Sequence, residues 1–502
     1  MKFKITLVIV YTVISSNISY SQYSFEITFH SGLDEKVWDL IENNDHKIVA
    51  VGWHDDPEYN LSSHDGMIWV IGSPSDTFTK SIDLNDTALI FNYIEQKSNG
   101  NYLIIGNIIY PPVYKVGDAI AYELDTQFNI ITRKIIHSID DAINELRFVK
   151  HFNDNYYLFG VGNFNHDRAP VIIKLDEQLN VMDSIIFWEY IGTMTPFMDC
   201  LFKEESNQLW AFTNGMTSIY TSQDELMILD SSLNVISKKK FPYNINGNIL
   251  DVDYEENLSA VWINDTCFIV GCNHEIIDFS IPPSSERDMG ISKLDSNLVI
   301  SPILYIGAVD TVDFSADLRC IDAFNTEIIF YAGTKRRIFE FYPNNPSWII
   351  AGTLNQNLEK IYEHYFGGDA YYITMAIKAA TDGGSIISAL RYDYLTQNNE
   401  YDVHFLKLNS QGLITSSNSL NTAGNKFSIY PNPVKDMVWI ESKYDKGSMS
   451  LYDICGKELM SADLHFGTNE ISIRELEGQV LIIKLVAKNN ETYSYKIIKV
   501  KQ

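Results

Sequence analysis

The sequence predicts an all-β chain. Three observations point there. A unit of apolar strands and polar turns recurs along most of the length, and a hairpin of Leu-Asp or Leu-Asn type closes nearly every unit. Short strands separated by close turn signals then fill the last part of the chain.

The clearest unit begins at Phe148. A strand reaches the polar turn Asn153-Asp154-Asn155, and a second strand ends at Gly162-Asn163. After a loop, a third strand ends at Leu175-Asp176, and a short turn opens the fourth at Leu179-Asn180-Val181. The closing hairpin recurs at Leu124-Asp125, Leu229-Asp230, Leu294-Asp295, Leu354-Asn355 and Leu408-Asn409. The first unit departs from it, with Gly72-Ser73-Pro74 at that place. Successive turns lie from the low fifties to the mid sixties of residues apart, the spacing of four-stranded units. Second strands align at 48–53, 102–107, 156–163, 209–214, 267–273, 328–334 and 385–391, which makes seven.

One such unit cannot bury both of its faces alone, whereas a closed ring buries them all. The reading is a seven-bladed β-propeller over residues 22–420. The Gly-His and Trp-Asp pairs of WD40 blades and the doubled glycines of kelch blades are missing, so the repeat matches no identified propeller family. A solenoid or two stacked sandwiches are the competing arrangements. Two segments compete to close the ring, 24–29 ahead of the first unit and 413–417 after the last.

Bulk properties set the class. A chain of 502 residues exceeds one ordinary core and is enough for two or three domains. Its 38 basic and 65 acidic residues give a formal charge of −27, which argues against nucleic acid and anionic lipid as partners. Residues 1–21 read as a secretory signal peptide. Lys2 and Lys4 precede an apolar run at 5–14 that is too short to span a bilayer, and Ser19 and Ser21 set cleavage before Gln22. No later run forms a transmembrane segment. The five cysteines (Cys200, Cys267, Cys272, Cys320, Cys455) are odd in number and lack a Cys-x-x-Cys pair, so they read as mostly buried free thiols rather than a zinc site.

Residues 421–426 are small and polar and read as a linker. From residue 427 onward ten basic residues balance ten acidic ones, so the preceding region carries all of the net charge. Strands are expected at 428–430, 437–441, 447–452, 458–462, 469–473, 480–487 and 492–500, the pattern of a small Greek-key, immunoglobulin-like β-sandwich. Its opening is Phe427-Ser428-Ile429-Tyr430-Pro431-Asn432-Pro433-Val434-Lys435-Asp436. Met449-Ser450-Leu451-Tyr452-Asp453 follows, with a turn at Gly456, and the chain closes on Tyr495-Lys496-Ile497-Ile498-Lys499-Val500.

These three ordered motifs resemble the type A C-terminal sorting domain of cargo for the type IX secretion system. The sorting motif is carried here by Tyr430, Pro431, Asn432, Pro433, Lys435, Asp436 and Gly456. Val480-Leu481 departs from the family's Gly-x-Tyr. The resemblance implies export through the inner membrane by a signal peptide and passage through the outer-membrane translocon, with the type IX sorting machinery as partner. Release or attachment at the cell surface then follows. It implies nothing about the activity of the passenger.

In a propeller the second-to-third-strand connections share one face. Here they fall at 54–65, 110–117, 164–169, 215–224, 274–287, 335–346 and 392–401, and loops on a rigid scaffold are where function concentrates. The ligand-binding candidates are His54, Asp55, Asp56, Glu58 and His64 in the first loop. Tyr114, His166, Arg168, His274 and Arg336 follow, with Tyr392 and Tyr394 in the last. Histidines beside carboxylates suit a divalent ion or acid–base chemistry, but Asp-Asp-Pro-Glu is also ordinary turn composition. Tyrosines among Asn, Asp and Arg suit a glycan or protein surface. No serine elbow, metalloprotease helix, phosphate loop or EF-hand loop occurs, so no catalytic residue, metal ligand or cofactor is assigned. The reading is an exported passenger that binds an extracellular glycan or protein through this loop face. A glycan-active hydrolase or lyase with paired carboxylates on the same face is the alternative, and a structural surface component is the third.

Overall fold

The computed structural model describes residues 24–55, 64–84, 87–110, 117–136, 145–164, 167–188, 197–218, 221–240, 244–245, 248–249, 258–276, 286–299, 301–307, 311–336, 343–396, 400–414, 427–430, 434–453, 457–474, 476, 480–487 and 492–499. These residues are all-β. One 3-10 turn, Glu204–Ser206, interrupts the strands, and no described helix is long and apolar enough to cross a membrane.

Seven successive antiparallel sheets occupy 35–82, 88–136, 145–186, 197–240, 259–306, 312–367 and 371–408. Strands pair in chain order within each sheet, first to fourth. In the sixth the first strand is split into Val312–Ser315 and Ile321–Phe324, both paired with Ile328–Arg336. The seventh has three strands of its own and takes its fourth from the N-terminal side. Phe25–Phe29 lies antiparallel to Tyr401–Leu408, with Phe25 opposite Lys407 and Phe29 opposite Val403. Of the two segments expected to compete for this place, 24–29 thus fills it. Leu413 instead donates its amide to Asn409 Oδ1 in the preceding turn, and 415–417 lie outside the described residues.

The cores run between the sheets. Phe91, Ile104 and Tyr122 of the second sheet pack on Val49, Ile68 and Val70 of the first. Equivalent clusters join the second to the third, the third to the fourth, and so on to the seventh. A last cluster returns from Phe25, Val403 and Phe405 to Val37, Ala50 and Trp69 of the first sheet. Among the described residues, seven clusters therefore link seven sheets in cyclic order.

Polar staples accompany the apolar seams. The ladder between first and second strands is bulged at Trp38, Asn92, Arg147, Met198 and Met375, which leaves local backbone groups without ladder partners. Side chains of the preceding sheet serve the amides of the following one. Asp39 accepts from Ile94 N (3.1 Å), Asp199 from Ala260 N (2.8 Å) and Asp322 from Ala379 N (2.8 Å). Ser259 Oγ accepts from Cys320 N (2.9 Å), and Asn107 Oδ1 from Leu146 N (2.5 Å). Between the sixth and seventh sheets, segment 317–319 leaves its own ladder, while Ala316 and Cys320 still bond Ala332. Asp317 N and Leu318 N donate to Thr374 O and Met375 O, and Arg319 bridges to Ala376.

The recurrent Leu-Asp hairpin has a physical basis. The Asp or Asn side chain accepts from the amides two and four residues on, as Asp125 does from Gln127 and Asn129, and Asn355 from Asn357 and Glu359. The residue three on is left-handed: Phe128, Leu179, Leu233, Leu298 and Leu358 have φ of 60–63°. An apolar side chain in that conformation costs about 1 kcal/mol, offset here by burial, since Phe128, Leu233 and Leu298 sit in the cores. At the sixth turn Gly412 takes this position with φ 70°, and a Cβ there would lie 2.2 Å from the Tyr362 ring.

The last sheet differs from its expected strand list. Met437–Tyr452 is one strand of 16 residues, and Glu458–Ser472 one of 15. The expected break after 441 is a register shift between Ser442 and Lys446, where 443–445 bulge out of the ladder and pairing resumes on the same partner strand. The order is Phe427–Tyr430, Met437–Tyr452, Val480–Ala487, Thr492–Ile498, with Glu458–Ser472 also on Met437–Tyr452. Its core is aliphatic: Val438, Ile440, Leu451, Leu464, Ile483 and Ile497 are buried, and so is Leu481 at the departure from the family pattern. Cys200 and Cys320 are buried free thiols and Cys267 is half-buried.

Asp199 also takes Lys150 Nζ at 2.6 Å, so one carboxylate ties the third, fourth and fifth sheets. Asp199→Ala leaves an ammonium and an amide unpaired and is expected to cost about 2–4 kcal/mol in urea unfolding, with Asp199→Asn costing less. A loss below about 0.5 kcal/mol would mean that the staple contributes little beyond an ordinary surface pair.

Candidate functional site

The structure redraws the expected loop face. Several of the supposed loops are extensions of the second and third strands. Asn155–Phe164 and Asp167–Asp176 pair as far as Phe164 opposite Asp167, so Arg168 is a ladder residue opposite Asn163. Cys267–Ile276 and Glu286–Asp295 pair to Ile276 opposite Glu286, and His274 stands opposite Asp288 in that ladder. Polar residues at these positions still satisfy strand hydrogen bonding, so polarity alone misplaced the strand ends. Asp56, Glu58, Tyr114 and His166 lie outside the described residues, as do the side chains of Arg168 and His274.

The first loop keeps a described base. Asp55 stands opposite His64, and His54 opposite Asp65. His64 Nδ1 lies 3.0 Å from Asp55 Oδ1, and its ring stacks on Trp53 with centroids 4.1 Å apart. His54 Nε2 lies 3.5 Å from Asp65 Oδ2, which also accepts from Ser81 Oγ at 2.9 Å. Burial holds the His64 pKa below its usual value, although Asp55 pulls the other way. Among the described residues, no group of three or more His, Cys, Asp or Glu side chains is gathered as a metal ion would need.

The sixth, seventh and first sheets together build the denser site. Tyr371, Tyr392 and Tyr401 stand opposite one another on three successive strands of the seventh sheet, so their side chains leave the same side of it. The Tyr392 and Tyr401 rings lie 5.1 Å apart. Beside them, at the end of Ile328–Arg336, the Arg336 guanidinium lies over two rings, 4.6 Å from Phe314 and 4.9 Å from Tyr371. Burial, with Tyr371 and Asp34 nearby, pushes the Tyr401 phenol up to about 12. The turn that follows carries half-buried Tyr394 and Leu395, which is 72% exposed.

Asp34 locks the first sheet to this row by accepting from Tyr401 N at 2.7 Å. The adjacent seam is acidic. Glu35 and Asp402 are both 3% exposed, and each has one oxygen without a hydrogen-bond partner. His30 Nδ1 lies 2.6 Å from Asp402 Oδ2. Burial raises both carboxyls; Glu35, with Asp402 and Glu400 adding to the effect, reaches about 7. On the same strand His404 is buried and lowered to about 4, with its Nδ1 2.8 Å from Thr28 Oγ1.

Of the expected ligand residues, Arg336 and Tyr392 thus belong to one constellation with Tyr394 at its edge, and His54, Asp55 and His64 form a second. The sequence reading missed Phe314, Tyr371, Asp34, Glu35 and Asp402. All five lie in or just before a first or third strand, where an isolated residue reads as core or edge. The signal available was Tyr371-Tyr372 at the head of a strand, whose register against Tyr392 no sequence pattern supplies.

In the last sheet the motif is anchored from Val434 onward. Val434 bridges to Lys499, and Asp436 O accepts from Ile473 N at 2.9 Å. Lys499 Nζ donates to Leu476 O at 2.6 Å, and Lys435 is exposed. Tyr430 closes the opening strand opposite Trp439; Pro431, Asn432, Pro433 and Gly456 lie outside the described residues. The family model described as "Secretion system C-terminal sorting domain" matches residues 428–501. The tail is a type IX sorting domain. A sorting domain implies dealings with the type IX machinery and export to secretion or surface attachment.

Comparison with curated proteins gives no match. Among solved structures, the chain is similar to a neuraminidase-like protein from A/bat/Guatemala/164/2009, with 9% identity, 62% of this chain and 86% of that one covered, and a TM-score of 0.37. For a Penicillium chrysogenum alpha-L-arabinanase complexed with arabinobiose the values are 10%, 62%, 91% and 0.37. For a puromycin hydrolase they are 7%, 89%, 58% and 0.44. No activity is carried over from these proteins.

The buried Glu35 gives a pH dependence of known sign. Its carboxyl stays protonated in the folded chain up to about 7, whereas an unfolded glutamate ionises near 4.5. The folded state therefore holds the extra proton between these values, and stability falls as pH rises through that window, by on the order of 3 kcal/mol. Glu35→Gln is expected to leave the melting temperature nearly unchanged at pH 4 and to raise it at pH 8. An equal shift at both would show that ionisation of Glu35 is not what opposes folding.

Proposed function

We propose that this protein is exported cargo of the type IX system whose passenger binds an extracellular glycan. The passenger, residues 22–420, is a seven-bladed β-propeller made of the seven cyclically packed sheets. Residues 1–21 are its signal peptide, 421–426 its linker, and 427–502 the sorting domain. The ligand face is the rim formed by the second-to-third-strand connections, and its centre lies where the sixth, seventh and first blades meet.

One observation carries the binding reading. Tyr392 and Tyr401 form a half-buried aromatic pair, with buried Tyr371 opposite Tyr392 in the ladder, bordered by Tyr394 and the exposed Leu395. Flat apolar rings with polar tips suit the faces of sugars. A second reading, a glycan-active enzyme, is favoured by Glu35 beside Asp402, a carboxyl raised to about 7 next to another carboxyl. Both are nearly sealed from solvent, so a substrate does not reach them without rearrangement. Binding is therefore the first reading.

A glycan array probed with the purified protein tests it. Tyr392→Ala is expected to weaken the glycans bound by tenfold or more and to leave the melting temperature within a few degrees. Retained binding would exclude the tyrosine row, and glycan cleavage abolished by Glu35→Gln would favour the enzyme. For export, deletion of 427–502 is expected to leave the passenger in the periplasm. Normal delivery of the truncated chain, read by cell fractionation, would refute the sorting role.

A further inference from the structure

We infer that Arg336 is the anchor for a carboxylate, so that the glycan bound at this rim carries uronic acid. The inference rests on the glycan-binding reading and names the ligand's chemistry. Arg336 closes its strand opposite Ser347 on one side and Val312 on the other, so its backbone is fixed at the rim by ladders on both sides. The guanidinium lies over the Phe314 and Tyr371 rings, contacts that fix its plane.

Its polar edge lacks what such a group ordinarily has. Among the described residues no carboxylate lies within ion-pair distance of it, and its Nε is sealed from solvent without a hydrogen-bond acceptor. This happens in a chain with 65 acidic residues and 38 basic ones. The neighbouring arginine behaves in the ordinary way: Arg391 has Asp369 at 3.1 Å and Asp393 at 3.7 Å. A half-buried guanidinium held flat over two rings, with its Nε sealed and no carboxylate from the described residues on it, is a preorganised receptor for a planar oxyanion, because the cost of burying that Nε is compensated only when the anion arrives.

The surroundings select among anions. The net charge of −27 disfavours polyanions bound by charge alone, so recognition has to combine one carboxylate with contacts of another kind. Half-buried Tyr392 and Tyr401 supply them, in register beyond the buried Tyr371 that the guanidinium covers, with ring faces for a sugar near the site of the carboxylate. A uronic acid residue meets both demands in one ring, its carboxylate on Arg336 and its apolar face on tyrosine. An acidic peptide offers carboxylates on flexible stems and no flat face adjoining them.

The test is titration of the full-length protein with tri-galacturonate and with its methyl ester, which keeps the sugar rings and removes the charge. The acid is expected to bind at least tenfold more tightly than the ester. Arg336→Ala and Arg336→Lys should both lower acid binding to the level of the ester while leaving the ester unchanged, the lysine because it lacks the planar fork. Equal affinity for acid and ester in the unsubstituted protein would overturn the carboxylate assignment while leaving glycan binding intact. No binding of either, with other glycans bound on the array, would overturn the uronic acid assignment alone; no binding of either and an empty array would overturn both readings. Competition by a glutamate-rich peptide at equal carboxylate concentration would overturn the choice of a sugar. The acid–ester comparison needs no variant, so it decides even if a substitution at Arg336 fails to fold.

Discussion

The structure depends on the fact that no sheet in the passenger can bury itself. A four-stranded sheet of this size has two apolar faces, and each finds its cover only on a neighbour. The bulges near the first strands sharpen the demand, since they leave backbone groups that the home ladder does not serve. Asp39, Asp199, Asp322, Ser259 and Asn107 answer it from the adjoining sheet. Apolar cover sets how closely two sheets approach, and the single polar bond sets their register. Buried amides tolerate little error in that register, because an unmade bond costs about as much as the whole net gain of several made ones.

The same constraint places the site. At the seventh sheet the strand Phe25–Phe29, the strand Tyr401–Leu408 and the unusual segment 317–319 converge. Asp34 spans one seam to Tyr401, and Arg336 spans the other to Tyr371. These contacts at the strand ends are side-chain reaches across a seam, and the acidic pair Glu35 and Asp402 lies beneath one of them. A seam tolerates groups that a sheet interior would not, since its partners come from two directions. This is why the buried carboxyls, the lowered His404 and the clamped guanidinium all gather here rather than along a strand face.

Much of the fold was legible because it is repeated. The Leu-Asp hairpins could be read since each Asp or Asn must sit two and four residues before the amides it accepts, which fixes a local spelling. The all-β class and the sorting tail were legible for similar reasons, alternation in one case and ordered motifs in the other. Strand ends at 164–169 and 274–287 were not. An antiparallel ladder continues for as long as the two backbones stay in hydrogen-bonding reach, and polar side chains such as Arg168 and His274 do not interrupt it. The site was half legible. Arg336 and Tyr392 follow from their rim position, but Tyr371 and Phe314 become partners only through packing between elements distant in sequence. The long strand Met437–Tyr452 hid behind a polar run that looks like a turn and is a bulge.

The closing strand has a topological consequence. Thr28 and His404 touch although 376 positions separate them in sequence, so the first and last strands of the seven sheets are spatial neighbours. Joining them is a long-range contact, and the entropy of closing such a loop makes it a late and slow event in folding. The order of strands around the ring is independent of where the chain happens to be cut. A circular permutant with residues 24–29 grafted after 408 would convert the closure into a local hairpin, leaving the seams and the rim as they are. The natural connectivity instead makes completion of the fold wait for the last strand before the sorting domain.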